Sequence, residues 1–93
     1  MSNPNFESFR PEVKESFLWE PIPEGCMLYE EETGKLLTLN SSAEAVLTHC
    51  DGDFTVAEIC QLLENDFQIH AEETRTLIRR FIEEDVIARP TGE

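Results

Sequence analysis

The residue types that could do chemistry in this chain are two histidines, three cysteines and a cluster of arginines near the C-terminus. His49 and His70 stand apart in the sequence, and no GxGxxG, P-loop or HExxH motif occurs. The cysteines lack the CxxC spacing of zinc or redox sites; they are Cys26, Cys50 and Cys60. We therefore predict that the chain is not an enzyme and that it has no catalytic residues, no metal site and no cofactor.

The cysteines and the chain start also bear on the compartment. An odd number of cysteines in a short chain does not favour a disulfide framework. Residues 1–10 lack the basic region and apolar run of a secretory signal, and no apolar stretch reaches the roughly 18 residues that span a bilayer. We expect a cytoplasmic protein with no membrane association, in which Cys50 and Cys60 are buried as small apolar side chains.

The charge balance bears on the class of partner. Twenty acidic residues against seven basic ones give a formal net charge of −13. Affinity for phosphates comes mainly from Lys and Arg, so we expect no nucleic-acid partner and no anionic membrane. The helix predicted near residues 56–67 carries Glu58, Glu64 and Asp66 but no Lys or Arg, whereas a DNA-recognition helix needs basic residues. A winged-helix DNA-binding regulator is therefore kept only as an alternative.

Three strands are predicted in the first half of the chain. Alternating apolar residues place Phe17 and Trp19 on one face of the first strand. Gly34 can take the positive φ of a tight hairpin loop, so the third strand should lie antiparallel beside the second. The predicted strands are residues 14–21, 26–31 and 35–39. Residues 1–13 contain Pro4 and Pro11 and are expected to form a flexible N-terminal segment.

Helical periodicity replaces this alternation after residue 40. Ser41 with Glu44, and Thr55 with Glu58, match capping boxes at the starts of two helices. Apolar residues follow each box at spacings of three and four. The two stripes are Ala43, Val46, Leu47 and Cys50, and Val56, Ile59, Cys60, Leu63 and Phe67. A third helix is predicted from about residue 71 to residue 85.

These elements predict the fold class. Helices shorter than about 12–15 residues are marginal alone in water, so they must bury their stripes against one another and against one face of the sheet. The expected fold is therefore α+β, with a three-stranded antiparallel sheet followed by a three-helix bundle. Its skeleton is winged helix-turn-helix-like. We expect residues 14–90 to form the one folded domain.

The order of several short motifs resembles the PqqD family. The most specific markers are Leu39-Asn40, Asp51-Gly52 and the Thr-Val-Ala-Glu-Ile run at 55–59. The resemblance covers about residues 14–90 and also rests on Leu28, Tyr29, Thr33, Gly34, Ala43, Val46, Leu47, Leu63 and Ile87. The second strand departs from PqqD proper, because it reads Met-Leu-Tyr-Glu-Glu at 27–31 where Leu-Leu-Tyr-Pro-Glu is expected. The Thr33-Gly34 turn looks more like stand-alone relatives found with lasso peptides.

The resemblance implies a RiPP recognition element, a peptide chaperone for ribosomally made peptides that are later modified. Such a domain binds the leader segment of a precursor peptide by strand addition to its third strand. It then presents the peptide to a modifying enzyme, often a radical S-adenosylmethionine (radical SAM) protein, in PQQ biosynthesis or a related process. The implied peptide-binding residues are Lys35, Leu36, Leu37, Thr38, Leu39, Arg75, Leu77, Ile78, Arg79, Phe81 and Ile82.

Alternatives remain open at this point. Arg75 and Arg79 are one helical turn apart and could clamp an acidic leader through carboxylate contacts. The other interpretation is pairing within the helix, of Arg79 with Glu83 and of Arg80 with Glu84. The sequence is compatible with a monomer or a weak homodimer. A generic protein–protein interaction module is the remaining alternative function.

Overall fold

The computed structural model describes residues 4–88. Its elements in chain order are helix α1 (Pro4–Ser8), strands β1 (Phe17–Ile22), β2 (Gly25–Glu30) and β3 (Lys35–Asn40), and helices α2 (Ser41–Thr48), α3 (Val56–Phe67) and α4 (Ala71–Glu83). The strands form one antiparallel sheet in the order β1-β2-β3. The predicted α+β fold is confirmed, although β1 begins at residue 17 rather than 14 and α4 ends at 83 rather than 85.

The helices cover only one face of the sheet. Cys26 and Leu28 of β2 and Leu39 of β3 are buried, and α2 packs directly against these two strands. The alternate residues point the other way, since successive side chains of a strand lie on opposite faces. We call this second side the open face; its residues are Leu18, Glu20, Met27, Tyr29, Leu36 and Thr38.

Two glycines are required by the geometry of the sheet. Gly34 has a φ of 75°, and its N–H donates to the Glu30 carbonyl at 2.8 Å, which closes the β2–β3 hairpin as predicted. Gly25 lies opposite Asn40, and a Cβ at this position would come within 2.0 Å of the Leu39 carbonyl oxygen. The two strands therefore approach each other more closely at Gly25 than any other residue would permit.

The helix starts are capped by side chains. At α3, Thr55 accepts from the Glu58 N–H at 3.1 Å and the Glu58 carboxylate accepts from the Thr55 N–H at 2.8 Å, which confirms the predicted capping box. At α2 the prediction of Ser41 as the cap is wrong. Asn40 Oδ1 accepts from the Ala43 N–H at 2.9 Å, so Ser41 is the first helical residue. Asn caps at least as well as Ser, and here it ends β3 and starts α2.

The apolar stripes of the helices form the core. Its fully buried side chains include Leu28, Val46, Leu47, Val56, Ile59, Leu63, Ile78, Val86 and Ile87. Cys50 and Cys60 are buried as predicted, and burial raises the pKa of the Cys50 thiol to about 12. Phe67 was expected in the α3 stripe but is 53% exposed. It is the last residue of α3, where Gln68 adopts a left-handed conformation and Ile69 is buried instead.

The N-terminal helix α1 packs on the domain, and the flexibility expected for residues 1–13 stays a prediction. Phe6 is buried, and the Arg79 guanidinium lies 4.5 Å from the centre of its ring. Glu7 accepts hydrogen bonds from Arg75, at 2.8 Å from Nε and 3.4 Å from Nη2. These contacts join positions nearly seventy residues apart, so the local composition of residues 1–13 could not indicate them.

Residues 9–14 continue this packing as an extended strap. The Phe9 carbonyl accepts from the Val56 N–H at 2.9 Å, and the Pro11 carbonyl accepts from the Gly52 N–H at 3.0 Å. The Val13 and Lys14 N–H groups donate at 3.0 Å to the carbonyls of Cys50 and Val86, respectively. The strap thus connects the end of α2, the start of α3 and the segment after α4. A domain boundary at residue 14 stays a prediction.

The cap assignment gives a direct test. Asn40→Ala should lower the free energy of unfolding by about 1 kcal/mol, because it leaves the Ala43 N–H without its partner. Ser41→Ala is the matched control and should change stability by less than about 0.5 kcal/mol. Urea unfolding followed by circular dichroism measures both. A greater loss for Ser41→Ala would contradict the cap.

The contact between α1 and α4 gives a second test. The Glu7 and Arg75 side chains are 34% and 30% exposed, so solvent screens their ion pair. We expect Glu7→Gln to lower the free energy of unfolding by only about 0.5–1 kcal/mol. When Arg75 has already been replaced by Gln, Glu7→Gln should lower the free energy of unfolding by almost nothing further, because its partner is gone. A double-mutant cycle from denaturant unfolding measures this coupling, and additive effects would contradict the pair.

Candidate functional site

The candidate site is a groove between the free edge of β3 and α4. Within the described residues β3 pairs only with β2, so the outer edge of β3 carries backbone groups without strand partners. The groove is lined by Leu37, Thr38, Leu39, Asn40, Ala43, Leu77, Arg80, Phe81 and Glu84. We call it the β3–α4 groove. Its cavity of about 100 Å³ can seat one aliphatic side chain of moderate size.

β3 is held at both ends beside this groove. At its end, Asn40 caps α2 and so fixes the strand relative to the helix. At its start, the Lys35 ammonium donates to the Glu84 carbonyl and lies 3.8 Å from the Glu84 carboxylate. A cation is favourable beside a helix C-terminus, because the last carbonyls there have no partner within the helix. The edge of β3 is therefore a positioned surface rather than a loose strand.

The groove combines an apolar floor with a charged rim. Phe81 is buried, and Leu37 and Leu77 are half-buried, so the floor is apolar. Arg80 is exposed at the rim, and within residues 4–88 it forms no ion pair. Glu84 is already held by Lys35. The groove therefore offers one apolar pocket with one available cation beside it.

The structure brings together some of the residues implied by the resemblance and separates others. Leu37, Thr38, Leu39, Leu77 and Phe81 line the β3–α4 groove. Leu36 instead lies on the open face, and Lys35 is engaged with Glu84. Ile78 and Ile82 are buried in the core, where the helical stripe of α4 meets the other helices. The assignment of any of these residues to peptide binding stays a prediction.

The arginines of α4 are not paired within the helix among the described residues, and a contact of Arg75 or Arg79 with a leader stays a prediction. Arg75 and Arg79 contact α1, away from the groove, and neither of the expected within-helix pairs is found among the ion pairs of the described residues. Arg80 lines the groove but was missing from the implied site. Its spacing could have revealed it, because Arg80 lies three residues after Leu77 and four before Glu84 on one helical face.

The histidines, cysteines and acidic residues are the other side chains that could do chemistry. Among residues 4–88, no group of three or more His, Cys, Asp and Glu side chains could hold a metal ion. His49 is tied locally, with its Nδ1 2.8 Å from the Ala45 carbonyl oxygen. Burial raises the pKa of the Cys26 and Cys60 thiols as well as that of Cys50. Helices long and apolar enough to cross a bilayer are absent from the described part of the chain.

Several solved structures share this fold, among them the following three. TbiB1 in complex with the TbiA(beta) leader peptide aligns with a TM-score of 0.69 and 9% identity, over 87% of this chain and 99% of TbiB1. A lasso peptide synthetase B1 complexed with the leader peptide aligns with a TM-score of 0.68 and 15% identity, over 88% of this chain and 100% of the synthetase chain. The heterocyclase TruD aligns with a TM-score of 0.69 and 24% identity. That alignment covers 90% of this chain but only 12% of the TruD chain.

The sequence comparisons identify the family. A search of curated proteins gives no match. The family model described as "Coenzyme PQQ synthesis protein D (PqqD)" matches residues 25–86, from the start of β2 to the segment after α4. This range contains the hairpin and all of β3, α2, α3 and α4, and with them every residue that lines the groove. The chain therefore belongs to the PqqD family.

Proposed function

We propose that this protein binds the leader segment of a ribosomally made precursor peptide and presents it to a modifying enzyme. The leader adds a fourth strand to the free edge of β3, and its side chains enter the β3–α4 groove. The observation that carries this proposal is the free strand edge lying beside an apolar groove with a cation at its rim. Two of the structural neighbours are themselves described as complexes with leader peptides, which supports the same class of ligand.

Strand addition needs help from the groove. Four or five backbone hydrogen bonds contribute about 0.5–1.5 kcal/mol each. Association costs roughly 4–15 kcal/mol, and ordering a flexible peptide adds to that cost. Micromolar affinity requires a net free energy of about −8 kcal/mol, so the backbone ladder alone cannot supply it. Side chains of the leader must contribute most of the difference, as in other cases of strand addition.

The groove defines the side chains that fit. Its cavity seats one apolar residue of the leader against Leu77 and Phe81. Arg80 stands at the rim and suits a carboxylate on the same peptide, because Arg forms strong charge-assisted contacts with Asp and Glu. The remainder of the chain is strongly acidic, so an acidic leader gains its attraction only near such a cation. We infer a leader with an apolar residue and a nearby acidic one.

The role we propose is binding rather than catalysis. The thiols of Cys26, Cys50 and Cys60 are buried with raised pKa values, which suppresses the thiolate form that a nucleophile needs. The chemistry would belong to the partner enzyme. In keeping with the family, we propose a radical SAM enzyme and a product that is PQQ or a related modified peptide. A cytoplasmic location and a monomeric or weakly dimeric state complete the proposal.

The leader site can be tested by titration with synthetic leader peptides from candidate precursor genes of the same genome. Amide shifts and slowed hydrogen exchange should concentrate at residues 35–40 and on α4, because the added strand pairs with those backbone groups. Leu77→Ser should weaken affinity at least about tenfold, since it removes a groove contact. Leu62→Ser, at a half-buried position of α3 outside the groove, should leave affinity unchanged.

Three outcomes would count against this site. Amide shifts along β1 would place the peptide at the opposite edge of the sheet, away from the groove. Equal effects of Leu77→Ser and Leu62→Ser would remove the groove from the recognition. A wild-type chain that binds no leader peptide would favour a generic interaction module over the proposed function.

The contribution of the charge at the groove rim is tested by substituting two adjacent arginines, Arg80 and Arg79. Arg80→Gln should weaken the binding of an acidic leader about fivefold at low salt, because it removes the carboxylate contact. Arg79→Gln causes the same change in net charge on the same helix but faces Phe6, so affinity should stay the same. Calorimetric titrations measure the leader affinity of both variants at low salt and at roughly 0.5 M salt. The loss caused by Arg80→Gln should shrink at high salt, since salt screens an exposed ion pair. Equal losses for both variants would contradict a specific role for Arg80.

A further inference from the structure

The open face of the sheet carries a continuous apolar row that stays exposed among residues 4–88. Leu18 lies opposite Tyr29, and Tyr29 lies opposite Leu36, so the row crosses all three strands. These side chains are 58%, 38% and 57% exposed. Cross-strand neighbours on one face lie in contact range of one another, so the row is a single patch.

The position of the row distinguishes it from ordinary surface residues. Single exposed apolar residues are normal on a folded protein, whereas contiguous ones mark an interaction surface. The described residues have five large apolar side chains that are exposed, and three of them form this row. Of the others, Trp19 lies on the opposite face of β1, since it pairs with the buried Leu28, and Phe67 is the last residue of α3.

The apolar row is separate from the β3–α4 groove, because none of its three residues lines that groove. Leu36 and Leu37 are neighbours on β3, but Leu36 is exposed on the open face and Leu37 lines the groove. A leader peptide seated in the groove would therefore leave the apolar row accessible. The two surfaces can be occupied at the same time by two different molecules.

The charges around the row identify the chemistry of the occupant. Residues 17–34, which form β1, β2 and the following turn, contain no Lys, Arg or His but include Glu20, Glu24, Glu30, Glu31 and Glu32. Glu20 lies on the open face itself, opposite Met27. The strands that carry Leu18 and Tyr29 are therefore acidic and hold no basic residue, and Lys35 of β3, next to Leu36, is engaged with Glu84.

The size of the row adds a second constraint. A stable interface buries about 800 Å² on each partner, which three side chains on a small sheet cannot provide. The contact must therefore extend over the surrounding glutamates. A second copy of this chain would bring the same glutamates against them, and like charges at an interface are costly. A partner with Lys and Arg around an apolar centre meets the same surface with favourable charge.

We propose that the open face docks a protein whose contact surface has an apolar centre bordered by Lys and Arg, and that this protein is the modifying enzyme. The identity of the partner rests on the proposed function, whereas the location and chemistry of the surface rest on the structure alone. Leu18, Tyr29 and Leu36 form the centre of the contact, and Glu20 belongs to its rim. The groove on the other side of β3 holds the leader.

The experiment measures two affinities in the same samples. The probes are the purified product of a candidate radical SAM gene and a synthetic leader peptide from a candidate precursor gene of the same genome. The double variant Leu18→Ser/Tyr29→Ser should bind the enzyme at least about fiftyfold more weakly, because it removes two apolar contacts on strands other than β3. Its leader affinity should stay within twofold. Both residues are exposed, so the fold should be retained, and circular dichroism checks this.

Two further variants control the interpretation. Phe67→Ser removes an equally exposed apolar side chain from the end of α3, and enzyme affinity should not change. Glu20→Lys should weaken enzyme binding about fivefold or more at low salt, and roughly 0.5 M salt should reduce this difference. If the effect of Glu20→Lys did not depend on salt, the proposed electrostatic contact between Glu20 and the partner would be overturned.

The outcomes separate the two proposals. If the wild-type chain does not bind the enzyme, or the double variant binds it as well as wild type, the docking surface is overturned even when the leader binds. If the leader fails to bind but enzyme binding is lost in the double variant, the docking surface stands and the leader function fails. If sedimentation shows a wild-type dimer that the double variant abolishes, the occupant is a second copy and the proposal is overturned.

Discussion

A sheet of three strands has two faces and two edges, and the helices of this chain cover only one face. One face stays uncovered because the chain is short. The apolar stripes of α2, α3 and α4 pack mostly against one another and against the inner sides of β2 and β3. Side chains such as Leu28 and Val46 become fully buried in this way. The free edge of β3 and the open face are the parts that this packing leaves, and both proposed binding surfaces lie there.

The edge of β3 is suited to recognition because contacts at its two ends hold it in place. Asn40 belongs both to the strand and to the cap of α2, so the strand cannot shift register without breaking the helix start. Lys35 joins the other end to the last turn of α4. Gly25 permits β2 to approach β3 where a Cβ would collide. An edge held in this way can bind an extended peptide without first paying the entropic cost of ordering itself.

The features predictable from the sequence were those encoded over a few residues. The Thr55–Glu58 box, the Gly34 hairpin and the burial of Cys50 and Cys60 depend on spacing within one element, and the structure confirms them. The cap of α2 was misplaced by one residue, because Asn40 and Ser41 are both good caps and only the backbone decides between them.

The features that escaped prediction depend on residues far apart in the chain. Arg75 and Arg79 appeared available for a ligand because nothing in the sequence indicates that Glu7 and Phe6 lie against them. Once α1 occupies those two arginines, Arg80 remains as the cation beside the groove. The apolar row of Leu18, Tyr29 and Leu36 likewise emerges only from the strand register, since each residue alone is an ordinary alternate position of its strand.

The position of Leu36 at the free edge has one further consequence. A peptide that extends this sheet takes on its alternation, so every second residue faces α4 and the others emerge beside Leu36. The bound leader would then widen the apolar row from three strands to four. A docking enzyme would touch both molecules at once, and its affinity would report whether the chain is loaded. The same strand edge that captures the peptide could thus make the empty and the loaded protein distinguishable to a third molecule.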